Sequence, residues 1–530
     1  MRLKEALSVM SMASPYAVST ERSEDKTNLH QQIKDYLHIQ MPIEGAVSKC
    51  ISSFGASDKK LLFLCGSSGD GKSELLTKAK GEYDNRIKFH LDATHSFDPK
   101  GSAIQTLDKV FEEFEHGSSP LVVGINAGMM GNYAEEGKSE RIQNAIATYL
   151  ENKTFESDDI HLINFEDYPK FLIHEDGYDS EFTKKLLHRV TQQEGNLIRQ
   201  LFENEIKEYK SAQLTRYYAN FQLLSLCSVQ QVVIDLLFKA RLVRDQFLTA
   251  RALLDFVHEL IFGKGYLFDN LFGGGENELL NKIEEFDPSN LRTKEIDRFI
   301  LARDLGLPDA EFEEFNNTLF NKDISQLDHA VQYLRLFYLL KYEDYGNNYH
   351  KQFLADFSES LIDTYINIYQ LHNNYSGESE QKTQLKAFYR NTLISAIRLY
   401  INRNAPGLGS KHYLFSECGG YQVAAPADLT ADLATVQQNQ HKRSAFFNAR
   451  LKLKKHRFVL PININLLSLL ININKGYRPN KHDKNSVILL DELASEIIQE
   501  AKSANELVII GVGQKFQLIK EDDDISVEEV

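Results

Sequence analysis

Eight residues, Gly66-Ser67-Ser68-Gly69-Asp70-Gly71-Lys72-Ser73, constrain this chain more than any other passage. They satisfy the spacing G-x-x-x-x-G-K-[ST] at every fixed position. The apolar run Leu61-Leu62-Phe63-Leu64-Cys65 stands before them, and helix formers, Glu74-Leu75-Leu76-Thr77-Lys78-Ala79-Lys80, stand after. A buried strand, a glycine-rich turn and a helix are therefore expected in direct succession. Glycines let consecutive backbone N–H groups converge on one anion without a Cβ in the way. The following helix turns its positive end towards the same point. Gly66, Ser67, Ser68, Gly69, Asp70, Gly71, Lys72 and Ser73 are thus the candidate nucleotide-binding set. Lys72 is expected to reach the β- and γ-phosphates of ATP. The Ser73 hydroxyl is expected to coordinate Mg²⁺, which prefers oxygen ligands and keeps several waters. A glycine-rich strand-to-helix turn without a ligand is the structural alternative.

Residues about 60 to 167 alternate short apolar runs with helical stretches. Beyond Leu61 to Cys65, strands are expected at Ile87 to Leu91, Leu121 to Ile125 and Ile160 to Phe165. Helices are expected at Ala103 to Phe114 and Arg141 to Leu150. Such alternation argues for a parallel sheet with helices on both faces. A nucleotide-hydrolysing site also needs a carboxylate at a strand end. The strand Leu121 to Ile125 ends in Asn126, which is expected to face the γ-phosphate if that strand lies beside the loop strand. Asp92, after the second strand, is the candidate catalytic and metal-side carboxylate, against an ordinary strand-end Asp capping its own loop. Glu166 and Asp167, after the fourth, are weaker candidates, against a solvated turn. Nucleotide binding is better supported than hydrolysis.

After about residue 180 helical periodicity dominates. The stretch Phe247-Leu248-Thr249-Ala250-Arg251-Ala252-Leu253-Leu254-Asp255-Phe256 resembles the lid helix of AAA+-type and STAND-type ATPases. By that resemblance Arg251 senses the γ-phosphate; the alternative is a surface Arg on an amphipathic helix. Breaks are expected at Gly273-Gly274-Gly275 and at Asn404 to Gly409. Leu507 to Val512 and Phe516 to Ile519 read as a hairpin.

The chain has 530 residues and a formal charge of −15. That charge is unevenly spread. From His441 to Lys484 there are eleven Lys and Arg residues and one acid, a net of +10 that leaves −25 elsewhere. Arg450, Lys452, Lys454, Lys455, Arg457, Lys475, Arg478 and Lys481 are the candidate nucleic-acid-binding residues, because cations that neutralise phosphates release counterions. Phe446, Phe447, Phe458 and Tyr477 are candidates for stacking on unpaired bases. A solvated face, or a patch that docks an acidic protein, is the alternative. Four cysteines without a CxxC pair argue against a zinc ribbon or a disulfide scaffold. No signal-peptide pattern opens the chain and no run of eighteen apolar residues occurs, so a cytoplasmic protein without a membrane span is expected. No nuclease motif is found. His482 and Lys484 begin an H-x-K pattern, but Asp491 comes two positions too late to complete it.

Several passages together resemble one family: the loop with Glu74-Leu75-Leu76, Phe89 to Phe97, Gly124-Ile125-Asn126-Ala127-Gly128 with Gly131-Asn132-Tyr133, and Gly476-Tyr477-Arg478-Pro479-Asn480-Lys481-His482 with Asp483-Lys484-Asn485. The chain resembles the DptF family, the P-loop component of bacterial phosphorothioation-dependent DNA restriction, nearly end to end. The resemblance implies a defence role against DNA lacking phosphorothioate, with DptG- and DptH-type partners, and supplies no nuclease site. The expected architecture is an α/β P-loop NTPase core with a parallel sheet, AAA+/STAND-like, a large helical region and a C-terminal α+β domain. Its expected parts are a helical segment over 1–55, the NTPase core over 56–180, a helical lid over 181–272, a helical domain over 273–405 and a basic α+β domain over 406–530. The expected cofactors are ATP and Mg²⁺, and self-association stays open. The alternative function is a STAND-type signalling or scaffold protein that binds partner proteins without touching DNA.

Overall fold

A computed structural model describes residues 3–14, 29–94, 96, 101–152, 155, 157–174, 177–209, 211–244, 248–320, 323–325, 327–358, 360–408, 411–438, 446–502, 504–511, 514–521 and 524–529. The chain divides into two compact units. Unit 1 is Met1–Leu172 with Asp179–Ser358, and unit 2 is Ile173–Tyr178 with Glu359–Val530.

Unit 1 opens with helices α1 (Leu3–Ala6), α2 (Leu29–Leu37) and α3 (Pro42–Ser52). A strand β1 (Leu61–Cys65) follows, then α4 (Lys72–Tyr83), β2 (Lys88–His90), α5 (Ala103–His116), β3 (Leu121–Ile125), α6 (Ala127–Glu136), α7 (Glu140–Asn152) and β4 (Ile160–Asn164). The four strands form an all-parallel sheet in the order β2-β3-β1-β4. Every residue of β1 and β3 is buried, which is why both read as unbroken apolar runs rather than alternating ones. The two-residue strand period sorts their side chains. Leu61, Phe63 and Cys65 pack with α5, α6 and α7; Leu62 and Leu64 pack with α3 and α4. Gly124 lets β2 and β3 meet: a Cβ there would lie 2.4 Å from the Leu91 carbonyl oxygen and 2.9 Å from Leu76 Cδ1.

The stretch expected as one helical segment over 1–55 serves two cores. Leu3, Leu7, Ile33 and Leu37 join the helical core, whereas Ile43, Val47 and Ile51 cover the sheet. The helical core runs continuously from Leu186 to Phe357. The expected junction at 272–273 therefore lies inside it. Gly274 (φ +65°) and Gly275 (φ +144°) turn the chain there between helices Leu267–Phe272 and Glu278–Glu284.

The longer segment of unit 2 runs from Glu359, so helices Ser360–Asn373, Ser379–Ala387 and Ser395–Ile401 belong with the C-terminal strands. It holds an antiparallel five-stranded sheet, ordered Asp524–Glu529, Gln514–Glu521, Glu506–Gly511, Tyr421–Pro426, His412–Cys418. A three-stranded sheet joins His456–Ile462, Phe447–Leu453 and Thr430–Ala431. The expected hairpin pairs Glu506–Gly511 with Gln514–Glu521; Val512 and Gly513 lie outside the described residues. No single described helix is long and apolar enough to cross a membrane. Helices Ala212–Leu224 and Cys227–Arg244 pass that test only as a pair bent by 82°.

Candidate functional site

The loop of unit 1 leaves the C-terminal end of β1 and enters α4, at the edge of the sheet where open α/β proteins bind ligands. Gly69 (φ +84°) and Gly71 (φ +100°) hold left-handed conformations, which cost a side-chain-bearing residue about 1–2 kcal/mol. Gly71 is the N-cap of α4, which has no side-chain cap on its first amides. Those unfilled donors, added to the helix dipole, make the end of α4 attractive to an anion. Lys72 Nζ bends over the loop and donates to the carbonyl oxygens of Gly66 (2.8 Å) and Ser67 (2.7 Å). Burial holds its ammonium below the usual lysine pKa, while the charges of Asp70, Asp92 and Cys65 pull the other way. Cys65 itself is buried, and burial pushes its thiol up to about 12, which keeps it inert.

One member of this site has no signal in the motif. Lys170 Nζ donates to Asp70 Oδ1 at 2.9 Å, with the two side chains 6% and 12% exposed. The other carboxylate oxygen, Oδ2, accepts from Ser67 N–H at 2.8 Å. Asp70 thus braces the loop from within, and Lys170 cancels the charge that the brace introduces. Phe165 closes the same corner, since a Cβ on Gly66 would lie 2.9 Å from its Cδ2. Lys170 lies a hundred residues from Asp70 in sequence, so only the fold brings them together.

Helix Ala250–Phe262 reaches the loop from the helical region. Thr249 caps it by accepting from Ala252 N–H at 3.1 Å. Arg251 N–H donates to the Gly69 carbonyl at 3.3 Å. A Cβ on Gly69 would lie 3.1 Å from Thr249 Oγ1 and 3.4 Å from Arg251 Cβ. The positive ends of two helices therefore converge on one glycine loop. Arg251 Nε is buried with no hydrogen-bond partner among the described residues. The helix starts at Ala250; Phe247 lies outside the described residues.

The remaining strand ends lie along the same edge of the sheet. β3 does lie beside β1, and Gly66 N–H donates to the Ile125 carbonyl at 3.3 Å. Asn126 follows directly, and its side chain caps α6 by accepting from Met129 N–H at 2.8 Å. Asp92 stands one strand further out. Its Oδ1 accepts from Thr94 N–H (2.9 Å) and Thr94 Oγ1 (2.7 Å), yet its charge acts on Lys72. Glu166 and Asp167 follow β4 in an exposed turn; their charges act on Cys65. Among the described residues no group of three or more His, Cys, Asp or Glu could hold a metal. A Mg²⁺ ion that keeps its waters needs only a hydroxyl, a carboxylate and phosphate oxygens.

In unit 2 the candidate cations fall into two groups. Strand pairing sets Arg450 opposite Val459 and Lys452 opposite Arg457, so all four share one face. The alternate residues Phe447, Leu451, Phe458 and Leu460 are buried. Like charges directly opposite are destabilising, so the Lys452–Arg457 pair suits an anion better than the bare fold. Arg457 is partly neutralised, because its Nε forms an ion pair with Asp432 Oδ2 at 3.0 Å. Lys454 and Lys455 form the exposed turn, with Lys454 at φ +53°. Lys475, Arg478 and Lys481 are exposed beyond helix Ile464–Asn474; its eleven residues span about 16 Å. The expectation that Phe447 and Phe458 stack on bases is overturned: they are 2% and 5% exposed and belong to the core. Tyr477 is exposed, and its hydroxyl donates to Asp483 at 2.8 Å. Lys442 and Arg443 lie outside the described residues.

Behind the cationic strand lies a buried polar relay. Tyr389, on a π-helical stretch Phe388–Ile394, accepts from Arg450 N–H at 2.8 Å and lies 2.9 Å from His372 Nε2. The Tyr389 hydroxyl and the His372 ring share that hydrogen bond, and its direction follows the tautomer of the ring. Burial, aided by the charge of Arg450, pushes the His372 pKa down to about 3.

Set against known proteins, the chain matches no family model, no curated protein and no solved structure.

Proposed function

We propose that unit 1 is an ATP-binding and ATP-hydrolysing P-loop NTPase core of AAA+/STAND type. We further propose that the chain is the ATP-driven component of a phosphorothioation-dependent restriction complex, acting with DptG- and DptH-type partners on DNA that lacks the modification. The observation that carries the first part is the meeting of the loop with Arg251. Arg251 touches Gly69 through its main-chain N–H and its Cβ, and its guanidinium Nε is buried with no hydrogen-bond partner among the described residues. Buried polar groups are seldom left unpaired, and an anion held by the loop would supply an acceptor. The second part rests on the sequence resemblance and on the cationic face of unit 2.

The residues present fit Mg²⁺ and ATP. Loop amides from Gly69 to Ser73 would hold phosphates, Lys72 would add compensating charge, and Ser73 with Asp92 would hold the metal and its waters. Bound Mg²⁺ neutralises phosphate charge and polarises the phosphoryl oxygens. Arg251 ties occupancy to the helical region. A ligand that engages the loop and Arg251 together favours the arrangement with helix Ala250–Phe262 docked, and that differential affinity is what a switch requires.

Titration calorimetry of the full chain with ATP and Mg²⁺ tests the reading. Heat of complexation is expected in the wild type, with affinity falling at least a hundredfold in Lys72→Ala. At a hundredfold excess of ATP over Kd, binding should also stabilise unit 1 by about 2.7 kcal/mol. No binding of any nucleoside triphosphate by the wild type would remove the proposal. The engagement of Asp92 by Thr94 favours a second reading, a scaffold that binds nucleotide without turnover and docks proteins rather than DNA. Normal ATP binding with neither phosphate release nor DNA retention on a filter would select it.

A further inference from the structure

We infer that the cavity at the Gly419-Gly420 turn of unit 2 receives one unpaired nucleotide of a single-stranded nucleic acid. This rests on the nucleic-acid reading of unit 2, and it adds a site made of residues outside the basic hairpin. The cavity measures about 520 Å³, within the range of small-ligand sites. Strands His412–Cys418 and Tyr421–Pro426 pair up to Cys418 and Tyr421, and the two glycines close the turn at φ +58° and +85°. Such a turn needs left-handed residues at both positions, and glycine also leaves the mouth free of side chains.

Two guanidinium groups line the cavity. Arg403 is held in advance: its Nη1 donates to the Tyr400 carbonyl at 2.9 Å, and its guanidinium lies 4.4 Å from the Tyr400 ring centre. Arg478 Nη2 donates to the Arg403 carbonyl at 3.4 Å, which brings the second cation to the same wall. Arginine pairs of this kind suit a phosphate. A bare phosphate does not explain the rest of the lining, because Glu417 faces the same space and would repel it. A nucleotide satisfies both signs, with phosphate on the arginines and a donor on the base for the carboxylate. Tyr421 supplies the stacking surface. Its ring rests on Gly511, where a Cβ would lie 2.4 Å from Cδ1, and it stays 39% exposed beside the cavity. Gln422 Nε2 donates to the Asn404 carbonyl at 2.8 Å and approaches Glu417 at 3.4 Å, which orients the carboxylate. A carboxylate selects exocyclic amino groups, as on cytosine N4, so a cytosine is preferred to a thymine.

Fluorescence anisotropy on the full chain, with twelve-nucleotide oligodeoxycytidylate and oligothymidylate, tests this. Cytidylate should bind at least threefold tighter. Tyr421→Ala and Arg403→Ala should each weaken single-strand binding fivefold or more, the lower bound of one stacked base, with ATP binding unchanged. Glu417→Gln, an exposed position, should remove the preference for cytidylate without changing the fold. A wild type that binds both oligonucleotides equally, or variants with wild-type single-strand affinity, would overturn the cavity and leave the basic hairpin standing. A wild type that binds no nucleic acid would overturn both.

Discussion

The loop of unit 1 draws its donors from eight consecutive residues, mostly main-chain, whereas unit 2 presents cations on side chains spread over two strands and a distant loop. In the first, backbone conformation does the work. Gly69 and Gly71 fix it by their φ values, and Asp70 with Lys170 brace it. In the second, strand register decides which charges share a face, and a shift of one residue would exchange Lys452 with Leu453. A site made of amides tolerates little change of shape but much change of side chain. A site made of side chains has the opposite tolerance.

Breaking the brace should produce the largest effect. Lys170→Met leaves the Asp70 carboxylate buried without its partner, and such a loss costs about 3–5 kcal/mol. Urea unfolding should register it, and ATP affinity should fall more than AMP affinity, because the uncompensated charge repels the more anionic ligand harder. Asp70→Asn in the same chain should recover much of both losses. A double variant as weak as the single one would show that charge compensation is not the role of Lys170.

An intermediate effect belongs to unit 2 alone. His372 has a folded pKa of about 3 against about 6.5 unfolded. Between those values the unfolded chain binds the extra proton, so stability is complete above pH 6.5 and falls as pH drops towards 3. The slope approaches 1.4 kcal/mol per pH unit. Replacing His372 with Gln should flatten the pH dependence of unit 2 unfolding over that window. An unchanged profile would mean that Tyr389 and Arg450 are supported some other way.

The smallest effect concerns the cationic face. Lys452→Ala should make the dependence of DNA affinity on salt shallower by about 0.9, the share of one neutralised phosphate. Arg457→Ala should change it less, because Asp432 already holds that guanidinium. Equal slopes for the two variants would sink the distinction between a cation that Asp432 binds directly and its neighbour across the strands.

Much of unit 1 was legible because its signals are local. Leu61 to Cys65 and Leu121 to Ile125 are apolar throughout, since both faces of a parallel strand are covered, and they appear as strands over the expected residues. The edge strand is shorter than expected, Lys88–His90 within 87–91. The helix Ala250–Phe262 was also visible in its periodicity, although its contact with Gly69 was not. Unit 2 was harder to read. Phe447 and Phe458 stand among lysines in the chain, which made them look available, yet alternation along the strands turns them inward. The junction at Glu359 carries no run of glycine or proline, and the Asn404 to Gly409 break, which does, lies inside the unit.

By itself the sequence determined the strand–loop–helix order, the two positive-φ glycines and the lysine that follows them. Each depends on neighbours within a few residues, where steric and dipolar forces act directly. Only the tertiary structure decided that Lys170 neutralises Asp70, that Arg251 meets Gly69 and that Arg403 shares a cavity with Tyr421. These pairings join positions 18 to 182 residues apart. They are set by how apolar faces bury against one another, an outcome of the whole chain that no single stretch of it encodes.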